Sequence, residues 1–505
     1  MRITYVDLFE GKFGLATGAS TLALGLALAA TPSHAQQVVV GGPQCVVVAG
    51  TATCEGNLSG GVTSQQQFGH VPVRTINIRN TTAPIAPTTG IFGIGTDRSE
   101  GPLTVNIADG TVINVFDNLT IPEPAQGVII ILRGGNALAI DSGATITSNA
   151  GGLGTGGPGA GIEGAAFGAG GSVAITNRGQ ITSNSTTHRS TAIAGLLFTG
   201  ANGNITVANS GALFANSTAT GERNNVVAGI FASDDGTAPI GGLITVNNTG
   251  AITVRTDPNA ANTVAGGNAA GIVTNGLSSD SNTVITNSGA LDSQGQRANG
   301  IFAFTRGTVL TGDTSVVVNN SGTMRIDGTG SGIIAQTQGE RVDVTVRNLT
   351  TGTINILNAN GTYTPSTGIL ALAQARTGAL GIDNAATITT AGTGFSRGIG
   401  ITTGGAPAGG NYTMSIVNTG NITIGTVSGQ GLRIDATRDD TATATINNSA
   451  AINLSATTMA LSAGISVNLG LTGTGDGPTS ATITNSGAIP SARVTESPDR
   501  RTRSL

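Results

Sequence analysis

Several residue types are scarce in this chain of 505 residues. Charged residues make up 10 % of it, against about 25 % in an average globular protein, and aromatic residues make up 3 % with no tryptophan. Lys12 is the only lysine, and the formal net charge of −4 is spread thinly. Contact with nucleic-acid phosphates needs clustered cations, and binding of single strands needs stacking aromatics. The composition therefore excludes nucleic acid as a partner.

The residues that are abundant favour strands and tight turns. Glycine is frequent at 79 residues, hydrophobic residues make up 38 %, and the mean hydropathy is +0.16. Such a chain is too apolar for a disordered, highly charged segment. Its apolar residues are mostly valine, isoleucine and alanine, and threonine and asparagine dominate the polar ones. These types are enriched in strands or in turns.

The first 35 residues have the pattern of a secretory signal peptide. Arg2 and Lys12 precede the apolar stretch 13–30, and a small-residue site ends at Ala35. This order predicts cleavage after Ala35 and export of the mature chain. The alternative interpretation is an uncleaved membrane anchor, for which the stretch is short.

The two cysteines, Cys45 and Cys54, stand nine residues apart in "CVVVAGTATC". In an exported protein such a close pair predicts a disulfide, here closing a small hairpin within an N-terminal cap at 36–56. A zinc site would need further ligands, and only His70 and His188 remain once the signal peptide is removed. The sequence therefore predicts a cap without metal.

A short phrase recurs along the rest of the chain. "ITNSGAI" (483–489) repeats "ITNSGAL" (285–291), and related phrases such as "VNNTGAI" (246–252) lie between and before them. Their Asn or Asp residues recur about every 34 residues, which is typical of a solenoid. The asparagines assigned to this corner are Asn177, Asn209, Asn248, Asn287, Asn320, Asn418, Asn448 and Asn485.

A second phrase, a glycine followed by isoleucine or leucine, falls between the corners. Examples are "AGLLF" (194–198) and "SGIIA" (331–335). We therefore expect two strand-turn rungs in each repeat. Residues such as "LITVNNTGAITV" (243–254) alternate apolar and polar, which is strand periodicity, and helix formers are scarce. The prediction is a single all-β, elongated parallel β-solenoid over 57–489.

Stacking explains why the phrase varies so little. Equivalent side chains of a parallel solenoid lie directly above one another, so Asn over Asn can form a hydrogen-bonded ladder and isoleucine over isoleucine can fill the interior. "DSGA" (141–144) is interpreted as the same corner with Asp141 in the place of Asn. Residues 490–505 contain four arginines and no strand period, and are expected to be a disordered basic tail.

A signal peptide, a cysteine pair and then "NSG" rungs together resemble the passenger region of a Gram-negative autotransporter, the type V secretion family. The resemblance covers roughly residues 1–490. It implies a right-handed parallel β-helix, an outer-membrane or cell-surface location or release from the cell, and an adhesive or structural role. The partners it implies are an outer-membrane β-barrel translocator and a host, matrix or neighbouring-cell surface.

The sequence departs from that family because no barrel follows by Leu505. A barrel needs many alternating strands of about ten residues with aromatic girdles. Either the chain is a fragment of a longer product, or its translocator is a separate protein.

An enzyme is the alternative, because related folds include polysaccharide lyases and glycosidases. Such sites need carboxylates on neighbouring rungs with an arginine or a cation. The candidate groups are Asp234 with Asp235, Asp439 with Asp440 beside Arg438, and Glu340 and Arg341 with Asp343. Solvated loop charge explains each of them, so we predict no catalytic residue, no cofactor and no metal.

Overall fold

The computed structural model describes most of the chain between residues 45 and 489. The described ranges are 45–63, 73–88, 92–98, 101–116, 125–151, 159–186, 190–198, 203–218, 226–234, 242–256, 268–278, 280–306, 312–357, 359, 366–404, 411–426, 428–436, 441–455, 462–469 and 479–489. The predicted signal peptide, its cleavage site at Ala35 and the basic tail lie outside these ranges, as do His70, His188, Asp235, Arg438, Asp439 and Asp440.

The described residues form β-strands and turns, with no helix among them. They fall into two compact units, one within Gly11–Ala269 and one within Ala270–Leu505. In each unit the chain winds in coils, and a complete coil contributes one strand to each of three parallel stacks. Stack 1 precedes the Asn corner, stack 2 follows it, and stack 3 carries the second phrase. The prediction of an all-β parallel solenoid is confirmed.

In the first unit the coils begin after an N-terminal strand, β1 (Cys45–Val48). Stack 1 contains β2 (Thr51–Gly56), β4 (Thr75–Thr81), β6 (Leu103–Ile107), β9 (Ala137–Ser142), β12 (Ser172–Asn177), β15 (Ile205–Asn209) and β18 (Leu243–Asn248). Stack 2 contains β7 (Val112–Phe116), β10 (Thr145–Ala150), β13 (Ile181–Ser185), β16 (Leu213–Ser217) and β19 (Ile252–Thr256). Stack 3 contains β3 (Val62–Thr63), β5 (Phe92–Arg98), β8 (Gln126–Leu132), β11 (Gly159–Phe167), β14 (Ser190–Phe198) and β17 (Val226–Asp234).

The second unit has the same three stacks, and β20 (Asn268–Gly276) contains the point of division. Stack 1 contains β21 (Asn282–Asn287), β24 (Asp313–Asn320), β31 (Asn411–Asn418), β34 (Thr441–Asn448) and β37 (Thr479–Asn485). Stack 2 contains β22 (Leu291–Gln294), β25 (Met324–Asp327), β27 (Ile354–Leu357), β29 (Ile388–Ala391), β32 (Ile422–Gly425) and β35 (Ile452–Leu454). Stack 3 contains β20, β23 (Arg297–Arg306), β30 (Phe395–Thr403), β33 (Ser428–Ala436) and β36 (Ala463–Leu469). Two long strands, β26 (Ser331–Asn348) and β28 (Ser366–Asn384), pass from stack 3 into stack 1.

The core of each unit is a column of isoleucine, valine and alanine. Within stack 2 of the second unit, Ile354 lies beside Ile388 and Ile388 beside Ile422, and all three are fully buried. In-register parallel pairing puts equivalent residues on neighbouring strands about 4.8 Å apart. The same type of apolar side chain therefore recurs at the corner position of each coil along the column.

Each repeat is one complete coil, and the expectation of two rungs per repeat is wrong. Successive corner asparagines that hydrogen-bond to each other are 28 to 39 residues apart in sequence. The two phrases belong to different sides of one coil, because the corner phrase leads into stack 2 and the Gly-Ile phrase lies in stack 3. One example of the second phrase was also misplaced: Ile193 pairs with Ile230, so Ala192-Ile193, and not Gly195-Leu196, is the equivalent of Gly229-Ile230.

The glycine of the second phrase is required by a close approach to the corner isoleucine. A Cβ on Gly398 would lie 2.6 Å from Ile422 Cγ2, and one on Gly431 would lie 2.5 Å from Ile452 Cγ2. Real Cβ atoms do not approach other atoms so closely, so a side chain at Gly398 or Gly431 would overlap the corner isoleucine. β14 has Ala192 at the equivalent position, and the corner residue that follows it is Leu213 rather than isoleucine.

The N-terminal hairpin is part of the first coil as well as its cover. β1 pairs antiparallel with β2, with Cys45 opposite Cys54, and the structure has a disulfide between them. β2 also pairs in parallel with β4, so the strand assigned to the cap is the first strand of stack 1. The antiparallel β1 covers the edge that β2 would otherwise expose. Formation of the disulfide in the exported protein and the right-handed winding stay predictions.

Candidate functional site

The corner asparagines form two hydrogen-bonded ladders, one in each unit. Each side-chain Nδ2 donates to the Oδ1 of the asparagine in the following coil over 2.7 or 2.8 Å. The first unit has the series Asn177, Asn209 and Asn248. The second unit has Asn287, Asn320, Asn348, Asn384, Asn418, Asn448 and Asn485.

The same amides also fix the turn of the chain. Asn418 and its equivalents other than the exposed Asn485 are buried. Asn209 Nδ2, for example, donates to the backbone oxygen of Gly211 two residues on, over 2.9 Å. Because one Nδ2 has two hydrogens, it satisfies its own corner and the next coil together. Leucine or alanine at the corner would leave a backbone oxygen such as Gly211 O without this donor. This explains why the phrase keeps its asparagine.

Asn348 and Asn384 are also members of the ladder, at positions where the repeat period places corner marks between Asn320 and Asn418. Asn348 precedes Ile354 by six residues rather than four because "NLTTGTI" carries two extra residues, and Asn384 is followed by alanines in "NAATI". Asn384 keeps the spacing of four residues to the buried corner isoleucine, Ile388.

The first ladder begins at Asn177, whose buried Oδ1 has no hydrogen-bond partner among the described residues. The residue below it in register is Ser142. The interpretation of "DSGA" with Asp141 in the asparagine place is therefore wrong by one position. Asp141 faces outward and pairs with Arg178 of the next coil. This is a structural ion pair at an exposed edge, where such pairs contribute about 0–1 kcal/mol.

The carboxylates proposed for catalysis are not brought together where they are described. Asp234 ends β17 and is 3 % exposed. Along β26, Arg341 and Asp343 face outward between the buried Val342 and Val344. Glu340 accepts a hydrogen bond from Arg376 of the next coil, with Nη1 3.3 Å from Oε1, and both of these side chains are exposed.

The outer side of stack 3 is apolar, which the sequence analysis missed. In the first unit Ile129, Ile131, Ala165, Leu196 and Phe198 form a cluster on this side. Phe167 stacks on Phe198 with ring centroids 4.7 Å apart. The signal was present in uninterrupted runs such as "GVIIIL" (127–132), because strands buried on both faces lose their alternation.

The second unit carries a related set on the outer side of stack 3, which we name the apolar row. Ile301, Ile333 and Ile369 point inward and are fully buried. The alternate residues point outward. The apolar row consists of Phe302, Phe304, Ile334, Leu370 and Leu372 on β23, β26 and β28. All of these except Phe304, which is 8 % exposed, are half-buried.

A buried acid lies beside the apolar cluster of the first unit. Glu163 on β11 is 2 % exposed and accepts a hydrogen bond from Gln126 Nε2 over 3.2 Å. Burial raises the pKa of the Glu163 carboxyl to about 7, because removal from water disfavours the charged form. Gln126 Oε1 is buried and has no partner among the described residues. The O–H of a protonated Glu163 would supply the donor that this oxygen needs.

A polar cluster occupies the equivalent side of β30 and β33. Gln430 Oε1 accepts from Arg397 Nε over 3.2 Å and from Arg433 Nη1 over 2.9 Å. Arg433 also pairs with Asp435. Arg397 lies over the ring of Phe395, with its guanidinium carbon 5.6 Å from the ring centroid. This is within the limit of about 6 Å for a cation–π contact. These contacts tie neighbouring coils together on a face that is otherwise poor in charge.

Within the described ranges there is no group of three or more His, Cys, Asp or Glu residues that could hold a metal ion. No helix in the part of the chain that the structure describes is long and apolar enough to cross a membrane. No protein-family model, curated protein or solved structure matches the chain.

Proposed function

We propose that this protein is an exported structural or adhesive rod segment that acts by contact rather than by catalysis. The observation that carries the proposal is the apolar row, in which four of the five large side chains are partly exposed on adjacent strands. Contiguous apolar side chains at the surface are typical of a contact surface. The ladders keep the row regular, because each coil places its side chains directly above those of the coil before.

The proposed location is the cell surface or the surrounding medium, reached through the signal peptide and an outer-membrane translocator. This part of the proposal depends on the sequence pattern at residues 1–35 and on the resemblance to autotransporter passengers. Fractionation of cells that express the chain tests it. Retention in the cytoplasm of a chain that still carries residues 1–35 would contradict it.

Contact is tested by adsorption of the purified chain to cells, extracellular matrix and glycan arrays. The variant Leu370→Gln/Leu372→Gln alters two members of the apolar row, and we expect its adsorption to fall about tenfold, equivalent to about 1.4 kcal/mol. Leu349→Gln is the matched control, because Leu349 is 46 % exposed and lies after the Asn corner, outside the row. Equal adsorption of both variants would contradict a role for the row.

The competing function is cleavage of a polysaccharide. Incubation with acidic polysaccharides, with and without calcium, tests it by the release of unsaturated or reducing ends. The proposal expects no turnover. Turnover that disappears in Asp234→Ala or Asp439→Ala would replace the contact function with an enzymatic one.

A further inference from the structure

The outer side of stack 2 in the first unit carries two rows of side chains that face solvent. In-register pairing of β7, β10, β13, β16 and β19 places the outward residues of successive coils directly above one another. All of these side chains are half-buried or exposed, and Phe116 at one end is 60 % exposed. We name the two rows together the polar strip. One row is Asn114, Thr147, Thr182, Phe214 and Thr253, and the other is Phe116, Asn149, Asn184, Asn216 and Arg255.

The polar strip is rich in neutral hydrogen-bonding groups and contains no carboxylate. Each asparagine amide offers two N–H donors and a carbonyl acceptor, and each threonine hydroxyl can donate and accept. Asn184 Nδ2 donates to Asn149 Oδ1 over 2.8 Å. Asn216 is the next residue in register, and its side chain makes no hydrogen bond to a described residue. Arg255, in the last of the five coils, is the one charged member of the strip.

The same side of the second unit has a different composition. There Arg325 pairs with Asp292 and Asp327, and no aromatic residue faces outward from the described stack 2 strands. The ladders and the buried corner isoleucines are nevertheless present in both units. The amides and rings of the polar strip are therefore not a requirement of the repeat.

Two phenylalanine rings lie among the amides and hydroxyls of the strip. Phe116 on β7 and Phe214 on β16 are three coils apart, which is about 14 Å at about 4.8 Å per coil. A ring face that remains accessible among polar groups suits a partner with both apolar and polar surfaces. A pyranose sugar is such a partner, because it has C–H groups on its faces and hydroxyls around its rim.

The spacing of the polar strip favours a linear partner with a matching repeat. Equivalent side chains recur once per coil, about every 4.8 Å along the stack. One hexose of an extended, β-linked polysaccharide has about this length, so successive sugars meet equivalent side chains. An extended polypeptide advances about 3.3 Å per residue and does not keep this register. A polyanion needs clustered cations, which the strip does not have.

We propose that the polar strip of the first unit binds a neutral, extended polysaccharide of β-linked hexoses, which lies along stack 2 with one sugar per coil. Phe214 packs against the face of one sugar. Asn149, Asn184 and Asn216 form hydrogen bonds to the hydroxyls of successive sugars. This site lies in the first unit and does not involve the apolar row of the second.

Calorimetric titration of the full chain with cellohexaose, mannohexaose and chitohexaose tests the proposal. We expect at least one of these β-linked oligosaccharides to bind, with an affinity that rises with chain length up to about five sugars, one for each coil of the strip. Maltohexaose has the same composition as cellohexaose but α-linkages that curve the chain, and should bind about tenfold more weakly than the best of the three. Failure of all three to bind, or equal affinities of disaccharide and hexasaccharide, would overturn the proposal.

Matched variants locate the site. Phe214→Ala and Asn216→Leu should each lower the affinity about tenfold. Phe302→Ala, which alters a half-buried ring of the apolar row, is the control for Phe214→Ala. Asn355→Leu is the control for Asn216→Leu, because Asn355 faces outward from stack 2 of the second unit. Circular dichroism and the melting temperature verify that the four variants are folded. Equal affinities in each variant and its control would place the site elsewhere and overturn the proposal.

An acidic polysaccharide gives a different result. If polygalacturonate binds more tightly than the neutral oligosaccharides, and sodium chloride removes that binding, the occupant is a polyanion and the proposal is overturned. Adsorption through the apolar row should be unchanged in Phe214→Ala, and oligosaccharide binding should be unchanged in Leu370→Gln/Leu372→Gln. Failure of either proposal therefore leaves the other intact.

Discussion

At the scale of single residues, the corner asparagines link neighbouring coils and the buried Glu163 makes stability depend on pH. Asparagine has two amide hydrogens and a carbonyl oxygen, so it can complete a turn and link two coils together. The sequence predicts this role because identical side chains stack in a parallel solenoid. It does not predict the burial of Glu163, since the runs that surround the acid on β8 and β14 become two-sided only when the fold is known.

The position of an asparagine in the ladder determines the cost of its removal. Asn209 both accepts from Asn177 and donates to Asn248, whereas Asn177 accepts from no described residue. We expect Asn209→Ala to lower the free energy of unfolding by about 3 kcal/mol and Asn177→Ala by about 1 kcal/mol less. Urea denaturation of the two variants measures the difference. Equal losses would mean that the links between coils contribute little.

Glu163 makes the stability of the first unit depend on pH. Its pKa of about 7 in the folded protein lies above that of an unfolded glutamate, so the folded state binds the extra proton. Stability is therefore greatest at and below the unfolded pKa, falls as the pH rises toward about 7, and is level above that. In Glu163→Gln this fall should disappear, and the variant should be more stable than the parent at pH of about 8.

Thermal unfolding across this pH range measures the effect. Glu55→Gln is the control, because Glu55 is exposed and paired with Arg79. A parent chain whose melting temperature responds to pH in the same way as the Glu163→Gln variant would contradict the assignment.

At the scale of strands and corners, close packing between stack 3 and stack 2 explains the second phrase. A Cβ on Gly398 would lie 2.6 Å from Ile422 Cγ2, whereas a Cβ on Gly381 of β28 would meet nothing within 4 Å. We expect Gly398→Ala to destabilise the second unit by about 1–3 kcal/mol through overpacking. Gly381→Ala should be neutral or stabilising by up to about 1 kcal/mol, because alanine loses less backbone entropy than glycine.

Chemical denaturation of the Gly398→Ala and Gly381→Ala variants measures the two changes in the free energy of unfolding. Similar stabilities of the two variants would show that the glycine of the phrase is a matter of composition and not of contact.

The elements also show what the sequence could not supply. The period, the strands and the corner were predictable because each depends on local alternation and on residues four apart, such as Asn418 and Ile422. The number of coils per repeat could not be predicted, because two strand phrases per repeat are compatible with either one coil or two. Only the register, in which Asn384 bonds to Asn418 and not to an intermediate residue, decides between them.

At the scale of the whole molecule, the described repeats present their outward side chains in register from coil to coil. Several described charges are paired between neighbouring coils, as in Arg133 with Asp97 and Arg376 with Glu340. What remains for recognition is the pattern that the coils present outward, of which the apolar row is the most distinctive part. The proposed function by contact therefore requires the correct stacking of one coil per repeat.

Disulfide cross-linking tests that stacking most directly. Thr389 and Thr423 face outward from β29 and β32 and are partners in register, so their Cα atoms should lie about 4.8 Å apart, within the range that a disulfide spans. Asn453, the partner of Thr423 in the following coil, is about twice as far from Thr389. The account predicts that Thr389→Cys/Thr423→Cys forms a cross-link, mapped by mass spectrometry, while Thr389→Cys/Asn453→Cys leaves two free thiols. A cross-link in the second pair but not in the first would contradict it.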